Sequence, residues 1–401
     1  MRLPFKTLDD VDVAGKRVMV RVDLNVPVRA GQVTDTTRIE RIIPTIQELR
    51  DKKARVVVIS HFGRPRGKFV REMSLRNVLR AFQGLLGGGQ IAFADDCIGP
   101  PALLVSNRLK DGDVALFENI RYHGGEERND PVFARSLAAS AQLYVNDAFA
   151  AAHRTHASVC AITRFLPAYA GRLLETEVKT LTHVLEEPER PLTAIVGGAK
   201  VSTKLELLGN LLHKVDKLVI GGGMANTFLY ASGLEIGRSL AENRMADTAR
   251  EIMASAQAKG CEIVLPVDVV VAAELKRNAP SNTVPVTSVP QRGAILDIGP
   301  ETVKEIEKRL TESRCVVWNG PLGAFETPPF DAGTVAVAQA MARVTKAGKL
   351  TSVAGGGDTV SALAKAGVMN DLTYVSTAGG AFLEWLEGKE LPGIAALVGR
   401  T

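Results

Sequence analysis

The chain has 401 residues and is poor in several things. It carries four cysteines, Cys97, Cys160, Cys261 and Cys315, too far apart for a CxxC pair or a disulfide framework. Such isolated thiols read as buried residues of a reducing compartment. Aromatic residues make up only 5% against 46% hydrophobic, which fits an aliphatic Val/Leu/Ala-rich α/β protein. Nowhere do 18 apolar residues run unbroken, and MRLPFKTLDDVDVAGKR lacks an apolar signal core. A soluble, cytoplasmic protein is therefore expected, with no membrane partner. The net charge of +5 is mild, and the arginines stand singly instead of in runs or stripes. That favours a compact anionic ligand over nucleic acid. Repeats, low-complexity segments and tails of like charge are missing too.

Several nucleotide-enzyme signatures are also missing. No GxxxxGK[ST] is present, which excludes a P-loop NTPase, and no GxGxxG opens a helix, which counts against a dinucleotide dehydrogenase. VAIK, HRD and DFG do not occur, so the protein-kinase fold is excluded.

What is present is a regular alternation of strand-like and helix-like segments, the pattern of parallel α/β sheets. A length of 401 residues predicts two domains. Strands are expected near 17–22, 55–60, 91–94, 113–117 and 142–146. A second set is expected near 192–196, 217–220, 261–265, 315–318, 350–353 and 373–376. Ile39, Ile42, Ile43, Ile46 and Leu49 place a helix over 37–52. Leu174, Val178, Leu181 and Leu185 make one apolar stripe over 171–186, which EEPERP then stops. A stiff helix ending in a proline-marked loop suits a domain connector. The stretch 277–297 reads as short strands and turns, and 67–69 and 87–90 as surface turns.

The two halves end their strands differently. In the first, strand ends lead to Arg38, His61, Arg64, Arg121 and Arg154, with Asp23 and Asn25 alongside. In open α/β sheets ligands sit beyond the carboxyl ends of strands, and guanidinium groups hold phosphate or carboxylate in a planar fork. The competing reading makes these ordinary surface arginines with acidic partners nearby. The His153-Arg154-Thr155-His156 spacing lacks the Glu and the i,i+4 histidines of a zinc-protease helix. His123, His183 and His213 read as surface or cap residues.

In the second half the strands run into glycine: Gly197-Gly198-Ala199-Lys200, then GGGMAN after 217–220, then Gly355-Gly356-Gly357-Asp358-Thr359. The first is expected to open a helix carrying Lys204 one turn later, so that both ammonium groups reach one phosphate chain. At the last, helix N–H groups and dipole favour phosphate, and Asp358 and Thr359 can hold Mg²⁺.

RVDLNVP, SHFGRP, FENIRYH, VNDAFAAAHRTH, GGAKVSTKLELL, GGGMANTFL, WNGPLGAFE, GGGDT and STAGGAFLE occur in an order and spacing that resembles the phosphoglycerate kinase family, from Arg17 to Gly393. The resemblance implies two Rossmann-like parallel-sheet domains joined by a hinge helix. The N-terminal domain would comprise 1–170 plus a returning segment 385–401, and the C-terminal one 171–384. It implies reversible phosphoryl transfer from 1,3-bisphosphoglycerate to ADP, giving 3-phosphoglycerate and ATP, with Mg²⁺ on the nucleotide, in a monomer. By the same resemblance Asp23, Leu24, Asn25, Arg38, His61, Phe62, Gly63, Arg64, Arg121 and Arg154 hold phosphoglycerate. Lys200 follows the transferring phosphoryl with Arg38. Gly197, Lys204, Gly221, Asn319, Gly356, Gly357, Asp358 and Thr359 serve the nucleotide, Glu326 its ribose, and Asp358 the metal. Three positions depart from the commonest pattern: Phe62 for leucine, Thr203 for aspartate, and Ala378 for the first glycine of STGGGA. A Cβ at 378 is expected to stiffen a loop that moves on closure. The rival readings are a binding protein without turnover and an NAD-dependent dehydrogenase.

Overall fold

The computed structural model describes residues 3–399, which fall into two compact units. One comprises the residues up to Lys179 together with those from Glu390 onward; the other spans Thr180–Lys389.

The first unit is built on β1 (Arg17–Arg21), β2 (Arg55–Ile59), β3 (Ile91–Ala94), β4 (Val114–Phe117), β5 (Leu143–Asn146) and β6 (Ala168–Ala170). They pair in the order β3-β4-β2-β1-β5-β6, all parallel. Four helices connect them: α1 (Thr37–Asp51), α2 (Arg76–Leu85), α3 (Gly99–Arg108) and α4 (Pro131–Ala138). Side chains alternate along a strand, so these apolar runs feed two cores. Val18, Val20, Val56, Val58 and Leu116 pack with Ile39, Ile42 and Ile46 of α1 on one face. Met19, Val57, Ile59 and Phe117 pack with Phe133 and Leu137 of α4 on the other. Each fully buried aliphatic of α1 contributes about 1.5–3 kcal/mol, which offsets the helix-breaking tendency of Pro44 within it.

Helix α5 (Arg172–Glu186) contains the division between the units. In the second unit β7 (Leu192–Val196), β8 (Lys217–Ile220), β9 (Glu262–Val264), β10 (Asp268–Ala272), β11 (Ser281–Pro285), β12 (Ala294–Ile298), β13 (Cys315–Asn319), β14 (Thr351–Gly355) and β15 (Tyr374–Ser376) follow. A parallel sheet runs β9-β8-β7-β13-β14-β15, and a smaller antiparallel one β11-β10-β12. The helices are α6 (Leu205–Leu211), α7 (Gly222–Ala231), α8 (Ala246–Ala258), α9 (Pro300–Glu312), α10 (Ala332–Lys346), α11 (Gly357–Ala366) and α12 (Gly379–Leu386). The last helix, α13 (Pro392–Val398), belongs to the first unit, where Gly393 N donates to Ala152 O at 2.8 Å.

Three differences from the sequence reading stand out. The stretch 277–297 holds short strands and turns as expected, but its strands β11 and β12 pair with β10, which the sequence did not reveal; a short apolar β10 is indistinguishable by period from a core segment. Strand β6, only three residues long, was missed as well. And the helix after Gly197-Gly198-Ala199-Lys200 begins only at Leu205. Gly198 has φ +131°, a conformation no helix can continue.

Candidate active site

In the first unit the chain leaving β1 is stitched to the chain leaving β2. Leu24, fully buried, donates its N–H to Ser60 Oγ at 2.9 Å. Asn25 Oδ1 accepts Gly63 N–H at 2.9 Å. Gly63 has φ +61°, and a Cβ there would lie 2.9 Å from Met73 Sδ. The Asp23 carboxylate takes Arg38 Nη1 at 2.9 Å, and the same nitrogen donates to Asn25 O at 3.0 Å. Arg38 is thus held at the first turn of α1 with its remaining donors open. Asn119 is a hub the sequence reading did not single out. Its side chain exchanges hydrogen bonds with the Phe62 N–H (3.2 Å) and carbonyl (2.7 Å), and accepts Arg121 N–H at 3.0 Å. Arg121 Nη1 in turn donates to Gly63 O at 2.8 Å.

These guanidinium groups are crowded and short of acid. Arg121 is 5% exposed, and its Nε has no hydrogen-bond acceptor, only Glu127 at 3.4 Å. Burial, with the charges of Arg154 and Arg21, pushes it down to about 10. Arg154 is lowered for the same reasons. Arg64 is exposed, and its charge also acts on Arg154. Burial and the surrounding arginines hold His61 well below its ordinary value. Arg21 Nη2 lies 3.0 Å from His61 Nδ1. A guanidinium only donates, so Nδ1 accepts and the ring proton sits on Nε2. A neutral imidazole N–H and several mutually repelling cations form a site that an anion with several charges would relieve.

Arg21 itself was missed. It is 1% exposed, and donates to Ser158 Oγ at 3.2 Å and to the Val22 carbonyl. Ser158 is tied in turn to the buried Glu126, whose carboxyl burial pushes up. The signal was an arginine ending an otherwise apolar buried strand, which demands interior partners.

In the second unit three glycine-rich strand ends interlock. A Cβ on Gly197 would lie 1.9 Å from Pro321 O, and one on Gly320 (φ +100°) 2.2 Å from Gly197 O. Lys204 Nζ bridges this crossing: 2.7 Å to Gly197 O, 2.6 Å to Asn319 Oδ1 and 3.1 Å to Asn319 O. Burial lowers Lys204 to about 8, opposed by the charges of Asp358 and Glu387. Asn319 Nδ2 donates to Gly355 O at 2.9 Å, and Gly320 N–H donates to Thr359 Oγ1 at 2.7 Å. Thr359 is therefore a buried tie between strand ends. Gly356, at φ +99°, caps α11 and leaves Gly357 and Asp358 exposed on its first turn. Lys200 is exposed; against desolvation, the Ser202 hydrogen bonds and the Lys200 charge hold the Glu242 carboxyl below its usual value. So the two lysines expected to act together have different surroundings, because Lys204 turns into the crossing that Gly198 begins. Ala378 caps α12 at φ −92°, which any residue adopts.

Beside the crossing lies a cavity of about 360 Å³. Its walls are backbone at Gly198–Ala199 and Gly222–Gly223, aliphatic at Leu240 and Leu275, with Glu326 and Asp358 also on the lining. Gly221 packs beneath, where a Cβ would meet Leu322 Cδ2 at 2.3 Å. An apolar, glycine-walled cavity with polar groups on its lining suits a heteroaromatic ring carrying a charged chain.

The family model for phosphoglycerate kinase matches residues 8–389. The phosphoglycerate kinase of Methylorubrum extorquens (strain PA1) is 60% identical over 394 residues, covering 98% of each chain. That of Cereibacter sphaeroides (strain KD131 / KCTC 12085) is 58% identical over 393 residues, 98% of this chain and 99% of its own. Among solved structures, the phosphoglycerate kinase from Coxiella burnetii superposes with a TM-score of 0.91 at 43% identity, over 99% of this chain and 100% of that one. The enzyme from Pyrococcus horikoshii OT3 gives 0.82 at 30% identity, over 98% of both. Full-length likeness in sequence and fold makes this chain a member of the phosphoglycerate kinase family, a kinase that transfers phosphate to or from a carboxyl group.

Proposed function

We propose that the arginine-bearing unit takes 3-phosphoglycerate or 1,3-bisphosphoglycerate and the glycine-bearing unit takes ADP or ATP with Mg²⁺. The observation that carries this division is the charge asymmetry. One unit gathers partly buried guanidinium groups whose charges repel one another, while the other offers an apolar glycine-walled cavity beside a helix N-terminus.

A β-phosphate oxygen of ADP attacks the acyl phosphate, the bond from phosphorus to the carboxyl oxygen breaks, and a carboxylate leaves. Nucleophile and leaving group are both oxyanions, so no general base is needed; the task is to position two polyanions and neutralise charge on the group in flight. In this reading Arg121, Arg154, Arg64 and the Nε2–H of His61 hold the phosphoglycerate. Asp23 and Asn25 fix Arg38 for the transferring group, which it meets together with Lys200 when the units close and exclude water. Lys204 and Asn319 keep the strand ends open to the nucleotide phosphates, with the N–H groups of Gly356 and Gly357 beside them. Glu326 takes the ribose hydroxyls.

Asp358 fits a hard divalent cation: it is an exposed carboxylate with no ion-pair partner among the described residues. Bound there with the nucleotide, Mg²⁺ would supply charge neutralisation on the phosphate oxygens. The same reading takes the chain as a cytoplasmic monomer; no described helix is long and apolar enough to cross a membrane.

A coupled assay of ATP-dependent 3-phosphoglycerate phosphorylation tests the proposal. Turnover with Mg²⁺ and its loss on chelation are expected. Binding of both ligands without turnover would instead support a binding protein, and reduction of a nicotinamide cofactor a dehydrogenase.

A further inference from the structure

Away from the arginine cluster, the loop leaving β3 and the turn following Arg121 bring three dissimilar donors together. Asp96, Cys97 and His123 each offer one ligand atom, all within 4.8 Å of one another. His123 Nε2 lies 2.7 Å from Asp96 Oδ1. The Cys97 thiol is fully buried beneath them, while Asp96 and His123 are half-buried and open to solvent. Phe133 stacks on the imidazole at 5.2 Å, fixing its plane. Cys97 and Asp96 share a backbone bend, Asp96 Oδ1 accepting Cys97 N–H at 2.6 Å and Ile98 N–H at 3.3 Å. Among the described residues no hydrogen bond or ion pair ties these three side chains to the groups assigned to phosphoglycerate or nucleotide above.

We propose that Asp96, Cys97 and His123 form a site for one borderline-soft divalent cation of the Zn²⁺ type. A thiolate, an imidazole and a carboxylate are the donor set such ions prefer, and a tetrahedral ion needs ligand atoms roughly 3.3–3.8 Å apart given metal–sulfur and metal–nitrogen bonds of about 2.3 and 2.0 Å. His123 Nε2 and Asp96 Oδ1 now stand 2.7 Å apart and the three atoms lie within 4.8 Å, so an ion would part that hydrogen-bonded pair. Entry is from the solvent side, through Asp96 and His123, with water left as the fourth ligand. Binding exchanges a proton for the metal: the Cys97 S–H bond breaks, a sulfur–metal bond forms, and the proton leaves to solvent. Without metal, His123 Nε2–H donates to Asp96 Oδ1, which can only accept; binding breaks that hydrogen bond and moves the ring proton to Nδ1, so that the Nε2 lone pair meets the ion. The expected consequence is structural: an ion would cross-link the loop after β3 to the turn that carries Arg121.

Titration of the full chain with Zn²⁺ alone, with no nucleotide or substrate, tests this. One ion per chain should bind with proton release, read from calorimetry in buffers of different ionisation enthalpy. Co²⁺ in its place should give a thiolate-to-metal charge-transfer band. Cys97→Ser should abolish the band and His123→Gln should weaken binding at least tenfold, each with an unfolding midpoint close to the parent's in the absence of metal. His153→Gln should change nothing. No saturable binding, or binding unaltered in both Cys97→Ser and His123→Gln, would overturn the proposal. Should Cys97→Ser fail to fold, the His123→Gln titration decides alone.

Discussion

At the scale of single residues, the chemistry rests on how each cation is held. Arg38 is fixed by Asp23 and the Asn25 carbonyl, yet its side chain keeps a third of its surface exposed. Arg38→Ala is expected to lower kcat far more than it weakens 3-phosphoglycerate binding; a rise in KM with kcat unchanged would remove Arg38 from the transition state. Arg154→Ala should instead show chiefly an affinity loss, about 1.5–3 kcal/mol for a charge-assisted hydrogen bond, read by titration with 3-phosphoglycerate. Unaltered affinity would return the cluster to an ordinary solvated surface. Lys204 makes a pH prediction. Its folded value, about 8, lies below the usual lysine value, so the free enzyme loses this charge as pH rises through 8. Nucleotide affinity should fall across that range and stay level in Lys204→Met; parallel profiles would refute the assignment. The sequence displayed the charged groups standing at strand ends, because a lone arginine after an apolar run is legible. It hid Arg21, Asn119 and Glu126, because their roles come from partners distant in the chain that only the fold supplies.

At the scale of elements, strand positions were legible because parallel strands buried on both faces read as continuous apolar runs. Helix starts were less so: the delay from Gly197 to Leu205 follows from two backbones crossing at Gly197 and Gly320, a contact no local pattern encodes. The start of α5 depends on a buried carboxylate. Asp147 Oδ1 accepts the N–H groups of Leu173 (2.8 Å) and Leu174 (3.2 Å), and the Thr45 hydroxyl also favours its charged form. Burial raises its pKa to about 6, despite those hydrogen bonds. The folded chain therefore binds more protons than the unfolded one between the ordinary aspartate value and about 6, and this group withdraws stability as pH rises through that window. Asp147→Asn keeps the acceptor and cannot ionise. Its thermal midpoint should gain on the parent's as pH goes from 4 to 7, and a constant difference would contradict the capping account.

At the scale of the whole molecule, the division of labour is the claim on which everything else depends. Each unit presents the carboxyl ends of its own parallel sheet, one edged with guanidinium groups and the other with glycine backbone and a helix N-terminus. Two ligands with separate homes predict separable losses. The most direct measurement is a crossed titration, 3-phosphoglycerate and Mg-ADP each against Arg121→Ala and Asp358→Asn. Arg121→Ala should lose roughly tenfold or more in phosphoglycerate affinity with Mg-ADP binding unchanged. Asp358→Asn should show the reverse. If either substitution weakens both ligands alike, or Asp358→Asn leaves Mg-ADP binding untouched, the division does not hold.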